Sequence, residues 1–268
     1  MPELPEVETI KNDLSAYIIG HRFISITVND SKLIQNPLED FISGILHQKI
    51  ISLDRRGKYL IFRLSTGKVL MTHLRMTGSL LINPGRLDKF ARVIFELDNH
   101  SILAFRDIRR FGTLSLSDND SELDKKLGIE PLSALFTVRT LSRLLRGRNV
   151  PIKAALLDQK IIAGLGNMYA DEALFAAMIH PLKKAAVINT KEVSRLHRAI
   201  TSVIREAISY GGASVDTYFR PDGNKGKAHD NFKVAHRRNE KCTVCNTSLQ
   251  RIVVQQRGTY FCPECQKL

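Results

Sequence analysis

Apolar residues recur at helical spacing between positions 5 and 19, at Val7, Ile10, Leu14, Tyr17 and Ile18, and Gly20 follows as a natural stop. That spacing predicts a first helix with one buried face. The period then changes. Short runs rich in β-branched and aromatic residues occupy 23–28, 59–64, 69–74, 93–97 and 102–105, with turn-like pieces such as Ser65-Thr66-Gly67 between them. The first half therefore reads as an antiparallel sandwich or barrel behind an N-terminal helix. Residues 117–126 are acidic and small with almost no apolar period, so a boundary is expected there, ending by about Pro131. Beyond it, 139–145, 151–159, 169–177 and 191–209 read as helices until Gly211-Gly212, where a mixed, basic tail begins. The fold class is α+β, and no internal repeat is visible.

Composition changes the picture in one respect. The chain has 268 residues, 43% hydrophobic and 25% charged, as in an ordinary folded protein, but its 40 Lys and Arg against 27 Asp and Glu leave +13. Such an excess points to a polyanionic partner, either nucleic acid or an anionic membrane surface, although a merely basic enzyme would share it. No apolar run reaches the length of a membrane span and no signal-peptide pattern opens the chain, so a cytosolic protein is expected.

All four cysteines fall in the last 27 residues, as Cys242-Thr-Val-Cys245 and Cys262-Pro-Glu-Cys265. Two such pairs, each a tight knuckle, present four thiolates to one point and fit a tetrahedral zinc better than a redox pair, which calls for a βαβ context. Four sulfurs leave no open position, so the expected metal is structural. The residues between the pairs look like a β-hairpin with Arg257 near its tip. That arginine could read a DNA backbone or simply be a solvated turn residue.

Ile161-Ile162-Ala163-Gly164-Leu165-Gly166-Asn167-Met168-Tyr169 lies between two helical segments. Its glycines permit a tight turn, and the N–H groups opening the next helix could hold a phosphate together with Asn167 and the upstream Lys153. Taken alone, a plain helix–helix turn explains it equally well.

These pieces coincide in one family. Met1-Pro2-Glu3-Leu4-Pro5-Glu6-Val7-Glu8-Thr9, Arg55-Arg56-Gly57-Lys58-Tyr59-Leu60, His73-Leu74-Arg75-Met76-Thr77-Gly78, Arg109-Arg110-Phe111-Gly112, Gly164-Leu165-Gly166-Asn167-Met168-Tyr169 and the four-cysteine tail, in this order, closely resemble bacterial formamidopyrimidine-DNA glycosylase. The resemblance runs from residue 2 to residue 265. It implies a catalytic β-sandwich domain (1–117), a helix–two-turns–helix domain (131–223) and a zinc hairpin (233–268), with damaged DNA held in the cleft between the halves. It further implies a monomer acting on double-stranded DNA that carries damaged bases or abasic sites, cytoplasmic and associated with the nucleoid.

The implied activity is excision of oxidised purines, 8-oxoguanine and formamidopyrimidines, followed by strand cleavage. By resemblance, loss of Met1 exposes the secondary amine of Pro2 as nucleophile, Glu3 moves protons at the sugar, Lys58 is a general acid or phosphate contact, and Arg257 assists the second elimination. Met76, Arg109 and Phe111 correspond to residues that fill the void left by a flipped base. Arg110, His73, Lys153 and Asn167 correspond to phosphate contacts. Read without the resemblance, Glu3 would be a helix N-terminal charge, Lys58 a solvated strand end, and Met76 and Phe111 core residues.

The pattern breaks in several places. Lys89-Phe90-Ala91-Arg92 stands where many members carry Lys-His-Asp-His, and Gly226-Lys227-Ala228 and Ala235-His236 replace aromatic-containing motifs; Asn149 occupies a position that is often basic. Lys227 belongs to the loop expected to close over the flipped base, so base preference is less constrained than the chemistry. The rivals are an endonuclease VIII-type glycosylase for oxidised pyrimidines and a catalytically silent DNA-lesion-binding protein. Leu4 and the Met76, Arg109-Arg110-Phe111 combination weigh against the first, and the Pro2, Glu3, Lys58 set against the second. A zinc-ribbon transcription factor would leave the N-terminus unexplained.

Overall fold

Helix α1 (Leu4–Ile18) begins where Pro5 supplies a helical φ and the Glu6 carboxylate accepts the Glu3 backbone N–H at 2.7 Å. Its buried stripe is Leu4, Val7, Ile10, Leu14 and Ile18. Tyr17, expected on that stripe, is exposed instead, because its position lies at the margin of the stripe. The computed structural model describes residues 1–268. Its contacts divide the chain into two units, 1–125 with 208–229, and 126–207 with 230–268.

In the first unit, β1 (Phe23–Val28) and a short helix α2 (Leu38–Ile45) precede β2 (Ile50–Arg56), β3 (Tyr59–Leu64), β4 (Val69–His73), β5 (Gly78–Ile82), β6 (Ala91–Leu97), β7 (Ile102–Asp107) and β8 (Thr113–Ser117). They form two antiparallel four-stranded sheets, ordered β1-β6-β7-β5 and β2-β3-β4-β8. The inward residues of both, among them Phe23, Phe95 and Phe105 from one and Leu60, Phe62 and Leu114 from the other, join the α1 stripe in a single core. This is the expected sandwich. Along β6 the burial alternates strictly, the period-2 pattern of a half-buried strand. The sequence reading missed α2, β2, β5 and β8, which are short or carry adjacent charges.

A six-residue helix, α3 (Ser121–Lys126), occupies the expected boundary. The second unit holds α4 (Val138–Leu145), α5 (Ile152–Leu157), α6 (Asn167–Ala176) and most of α7 (Thr190–Ser209), then the hairpin β9 (Gln250–Val254) and β10 (Arg257–Phe261). Phe175, Val234, Leu249 and the cysteines pack together as a small core under that hairpin. No helix is long and apolar enough to cross a membrane.

Candidate active site and metal centre

Burial starts at the second residue: Pro2 is buried and Glu3 is 3% exposed, whereas Met1 projects into solvent. Burial follows from the capping arrangement. Glu6, itself fully buried, accepts the Glu3 N–H with one oxygen and the Ala213 N–H, at 2.8 Å, with the other. One carboxylate thus ties the start of α1 to the loop after α7. Gly212 makes room for it: a Cβ there would lie 3.0 Å from Glu6 and 3.1 Å from the Tyr218 ring, at φ +76°. Glu6 was not singled out in the sequence, because a glutamate in a first helical turn is commonplace; only its partner 207 residues away reveals the role.

Lys58 sits in the two-residue turn between β2 and β3, where Gly57 takes the positive φ that this kind of hairpin needs. Its side chain is buried. Arg55 holds the turn against α1, donating to Glu8 at 2.7 Å and to the Gly57 carbonyl at 2.9 Å. Burial tends to raise the Glu8 carboxyl, but the hydrogen bonds from Lys11 and Arg55 outweigh it and hold the group below its usual range. At the end of β4, opposite Tyr59, His73 is buried and its Nδ1 accepts the Arg75 N–H. Burial first, then the charges of Arg75 and Lys58, push its pKa down to about 3. His73 is therefore neutral at pH 7, with Nε2 carrying the proton, and offers a neutral donor rather than a cation.

Met76, Arg109 and Phe111 come together. Arg109 donates to the Met76 sulfur at 3.4 Å and lies over the Phe111 ring at 4.7 Å, a cation–π distance. Met76 is 40% and Phe111 50% exposed, so the two are not core residues. Asp107 sets their loop: fully buried, it accepts from the Thr77 hydroxyl, the Arg109 N–H and the Gly112 N–H. Gly112 cannot carry a side chain, since a Cβ would lie 2.5 Å from Phe105. Arg110, at φ +61°, pairs with Asp30, whose carboxyl that contact holds low.

The loop around Lys227 is closed at its neck. Lys227 and Ala228 donate to the carbonyls of Tyr210 and Gly212, and a Cβ on Gly226 would meet the Gly211 oxygen at 2.2 Å. Lys227 itself is exposed.

In the second unit Lys153 requires a correction. It was expected on a phosphate, but it is 0% exposed and its Nζ lies 2.6 Å from Asp171. An ammonium so enclosed is committed to its counter-charge. Asp171 also accepts the Tyr260 N–H at 3.0 Å, and Asn167 donates its side-chain amide to the Gly258 carbonyl at 2.9 Å. Lys153 and Asn167 thus fix α5 and α6 to the hairpin, whose turn is Gln255-Gln256, both at positive φ, with Arg257 opening β10. Arg257 lines one recess with Arg148, Gln255 and Asp158, and Arg148 is a cation the sequence reading passed over. Glu172, next to Asp171, accepts three successive N–H groups from Lys233, Val234 and Ala235. The turn before α6 is braced by Gln159, which accepts from Gly164 N and donates to the Leu165 carbonyl.

The sulfurs of Cys242, Cys245, Cys262 and Cys265 all lie within 4.8 Å of one another and form no disulfide. A tetrahedral site with Zn–S bonds of about 2.3 Å has sulfur–sulfur edges of about 3.8 Å. The separations of 3.9 Å between Cys242 and Cys265 and 3.4 Å between Cys245 and Cys262 fit it. Backbone N–H groups of Val244 and Cys265 point at the sulfurs of Cys242 and Cys262, as in thiolate knuckles.

Comparison with known proteins agrees with this geometry. Residues 1–114 match the formamidopyrimidine-DNA glycosylase N-terminal domain, residues 127–218 the formamidopyrimidine-DNA glycosylase H2TH domain, and residues 239–268 the zinc finger found in FPG and IleRS. A formamidopyrimidine-DNA glycosylase of Roseiflexus sp. is 40% identical over 273 residues, covering all of both chains. Among solved structures, a Lactococcus lactis FPG variant in complex with Fapy-dG-containing DNA superposes with a TM-score of 0.94 at 35% identity over the whole of both chains. MutM from Thermus thermophilus does so with 0.90 at 36% identity, covering 99% of this chain and 98% of that one. The four cysteines hold one structural zinc. Three domain matches in unbroken order and whole-length identity to such relatives leave one conclusion: the chain belongs to the formamidopyrimidine-DNA glycosylase family.

Proposed function

We propose that this glycosylase excises oxidised purines, 8-oxoguanine and formamidopyrimidines, from double-stranded DNA and then cuts the strand at the abasic site by β,δ-elimination. The observation that carries the reading is the burial of Pro2 and Glu3, with the Glu3 N–H held by Glu6, while Met1 stays in solvent. A terminus of no functional importance would fray. Once Met1 is removed, the Pro2 nitrogen lone pair attacks the sugar C1′ and the bond to the damaged base breaks. Glu3 gives a proton to the opening sugar, and the ring-opened adduct is an iminium. A secondary amine cannot shed that positive charge by forming a neutral imine, so electrons flow towards it as the flanking phosphates leave in turn.

Lys58 serves as general acid or phosphate contact beside the lesion. Arg257 holds a phosphate during the second elimination. Met76 and Phe111 wedge into the stack while Arg109 meets the orphaned cytosine. His73 and Arg110 take phosphates, His73 as a neutral donor; Lys153 and Asn167 support the hairpin that carries Arg257. The functional division is 1–117, 131–223 and 233–268, and the protein works as a cytoplasmic monomer at the nucleoid. Relatives of known structure are bound to Fapy-dG DNA and to carbocyclic 8-oxo-G DNA, which supports the purine reading. So does the mutual contact of Met76, Arg109 and Phe111, the combination that weighs against an endonuclease VIII-type specificity.

Borohydride trapping on duplexes with single defined lesions tests this. An adduct at Pro2 on 8-oxoguanine opposite cytosine and on an abasic site is expected. No adduct on any oxidised purine or abasic site removes the assignment, and much faster cleavage of oxidised pyrimidines transfers it to the rival. Cys245→Ser should lose zinc and weaken DNA binding, because metal binding and folding of such a small hairpin are coupled. Metal analysis with a binding titration reads both, and unchanged affinity in a zinc-free variant would contradict the hairpin's role.

A further inference from the structure

The segment 89–92, where the sequence departs from the usual Lys-His-Asp-His, builds a cluster of its own. Three cationic groups surround one half-buried ring: Lys89 Nζ at 5.4 Å from the Phe90 centroid, the Arg92 guanidinium at 5.6 Å and the Arg106 guanidinium at 5.2 Å. Arg106 is also held by Asp88 at 2.8 Å. The register of β6 on β7 shifts between Ala91 and Val93, so Arg92 is the extra residue of a β-bulge, a device that re-aims a side chain. It is aimed at the backbone. Its Nε donates to the Asp107 carbonyl at 2.8 Å and its Nη1 to the Lys89 carbonyl at 3.2 Å, while the Asp107 N–H donates to the Phe90 carbonyl at 2.9 Å.

Asp107 is thus gripped at both backbone ends by residues 90 and 92. Its carboxylate in turn holds Arg109 N, Gly112 N and the hydroxyl of Thr77, the neighbour of Met76. The geometry points to Arg92 and Phe90 as positioning residues that set the 108–112 loop, and through it the discrimination Arg109 makes between cytosine and other bases opposite the lesion. This rests on the reading of Arg109 given above. Arg92 is not a phosphate ligand in this scheme, because two of its donors are already spent on carbonyls and its planar head lies against a ring. A misplacement of about 1 Å in such a loop is enough to cost a reacting geometry two orders of magnitude.

The test compares wild type, Arg92→Ala and Phe90→Leu in single-turnover excision at saturating enzyme, with 8-oxoguanine placed opposite cytosine and opposite adenine. Phe90→Leu keeps apolar bulk and removes only the π-face, so it remains informative if Arg92→Ala folds poorly. The expected result is a cytosine-to-adenine rate ratio at least tenfold lower in Arg92→Ala and intermediate in Phe90→Leu. A ratio unchanged in both variants, however much the rates themselves fall, would mean the cluster only supports the fold and would overturn the proposal. So would an unchanged ratio together with a salt dependence of DNA binding shallower by about 0.9, the mark of one lost phosphate contact. Failure of the underlying reading is separately visible, since Arg109→Ala would then leave the wild-type cytosine-to-adenine ratio unchanged.

Discussion

A chain with a short extension ahead of Pro2 should fold like the native one and lose base excision and strand cleavage by at least about 10³-fold, the order lost when a central catalytic group is removed. Met1 is 45% exposed, so an extension leaves the protein into solvent and need not disturb the buried residues behind it. What changes is the Pro2 nitrogen. In an amide its lone pair is delocalised into the carbonyl and cannot attack C1′, whereas a free α-amine is partly neutral near pH 7. Borohydride trapping should fall to background, melting temperature should stay within a few degrees, and proteolytic trimming to Pro2 should restore both activities. An extended chain that still trapped the adduct would move the nucleophile to another amine, and the buried Lys58 would be the first to examine.

Lys153→Met is expected to destabilise the second unit by about 3–5 kcal/mol, because it leaves a buried carboxylate without its counter-charge. Burial already pushes Asp171 up to about 7 against the pull of Lys153. Without the lysine the carboxyl rises further and the folded chain retains a proton that the unfolded chain releases near pH 4. Since the folded state binds more protons over that window, stability falls as pH rises through it, by about 1.4 kcal/mol per pH unit. The wild type shares this slope up to about pH 7, where its own Asp171 ionises, so the variant's extra loss develops above that pH and should be larger at pH 8 than at pH 5. Urea unfolding at the two pH values measures it. Lys153→Met combined with Asp171→Asn should recover most of the loss, since asparagine still offers the Tyr260 N–H an acceptor. Equal destabilisation at both pH values would show that Asp171 is not the strained partner. A weaker grip on DNA should accompany the single variant, because Asp171 and Lys153 anchor the strand that begins at Arg257.

Much of this protein is legible without coordinates. The α1 stripe, five of the eight sandwich strands, the four main helices of the second half and the zinc hairpin follow from periodicity and cysteine spacing, because each is decided by neighbours close in sequence. Elements stabilised mainly by distant partners escaped it, such as β2 with its Asp54-Arg55-Arg56 and the short α2. The candidate site divides in the same way. Residue types and their order identify the family, since the chemistry of a terminal amine, a neighbouring carboxyl and four thiolates depends on what the residues are.

Which charge is free and which is spent depends on what lies across the fold. Lys153 has the sequence of a phosphate ligand and the position of a buried counter-ion, settled by Asp171 eighteen residues later. His73 looks like a potential cation and is held neutral by burial beside Arg75 and Lys58. Glu6 looks like an ordinary helix-start acid and closes on Ala213. The sequence alone determined the family, the order of domains and the zinc ligands, because spacing along the chain is itself their signature. Only the tertiary structure decided the burial and pairing of each ionisable group and the meeting of Met76, Arg109 and Phe111, because those depend on desolvation and on contacts between segments that no local pattern encodes.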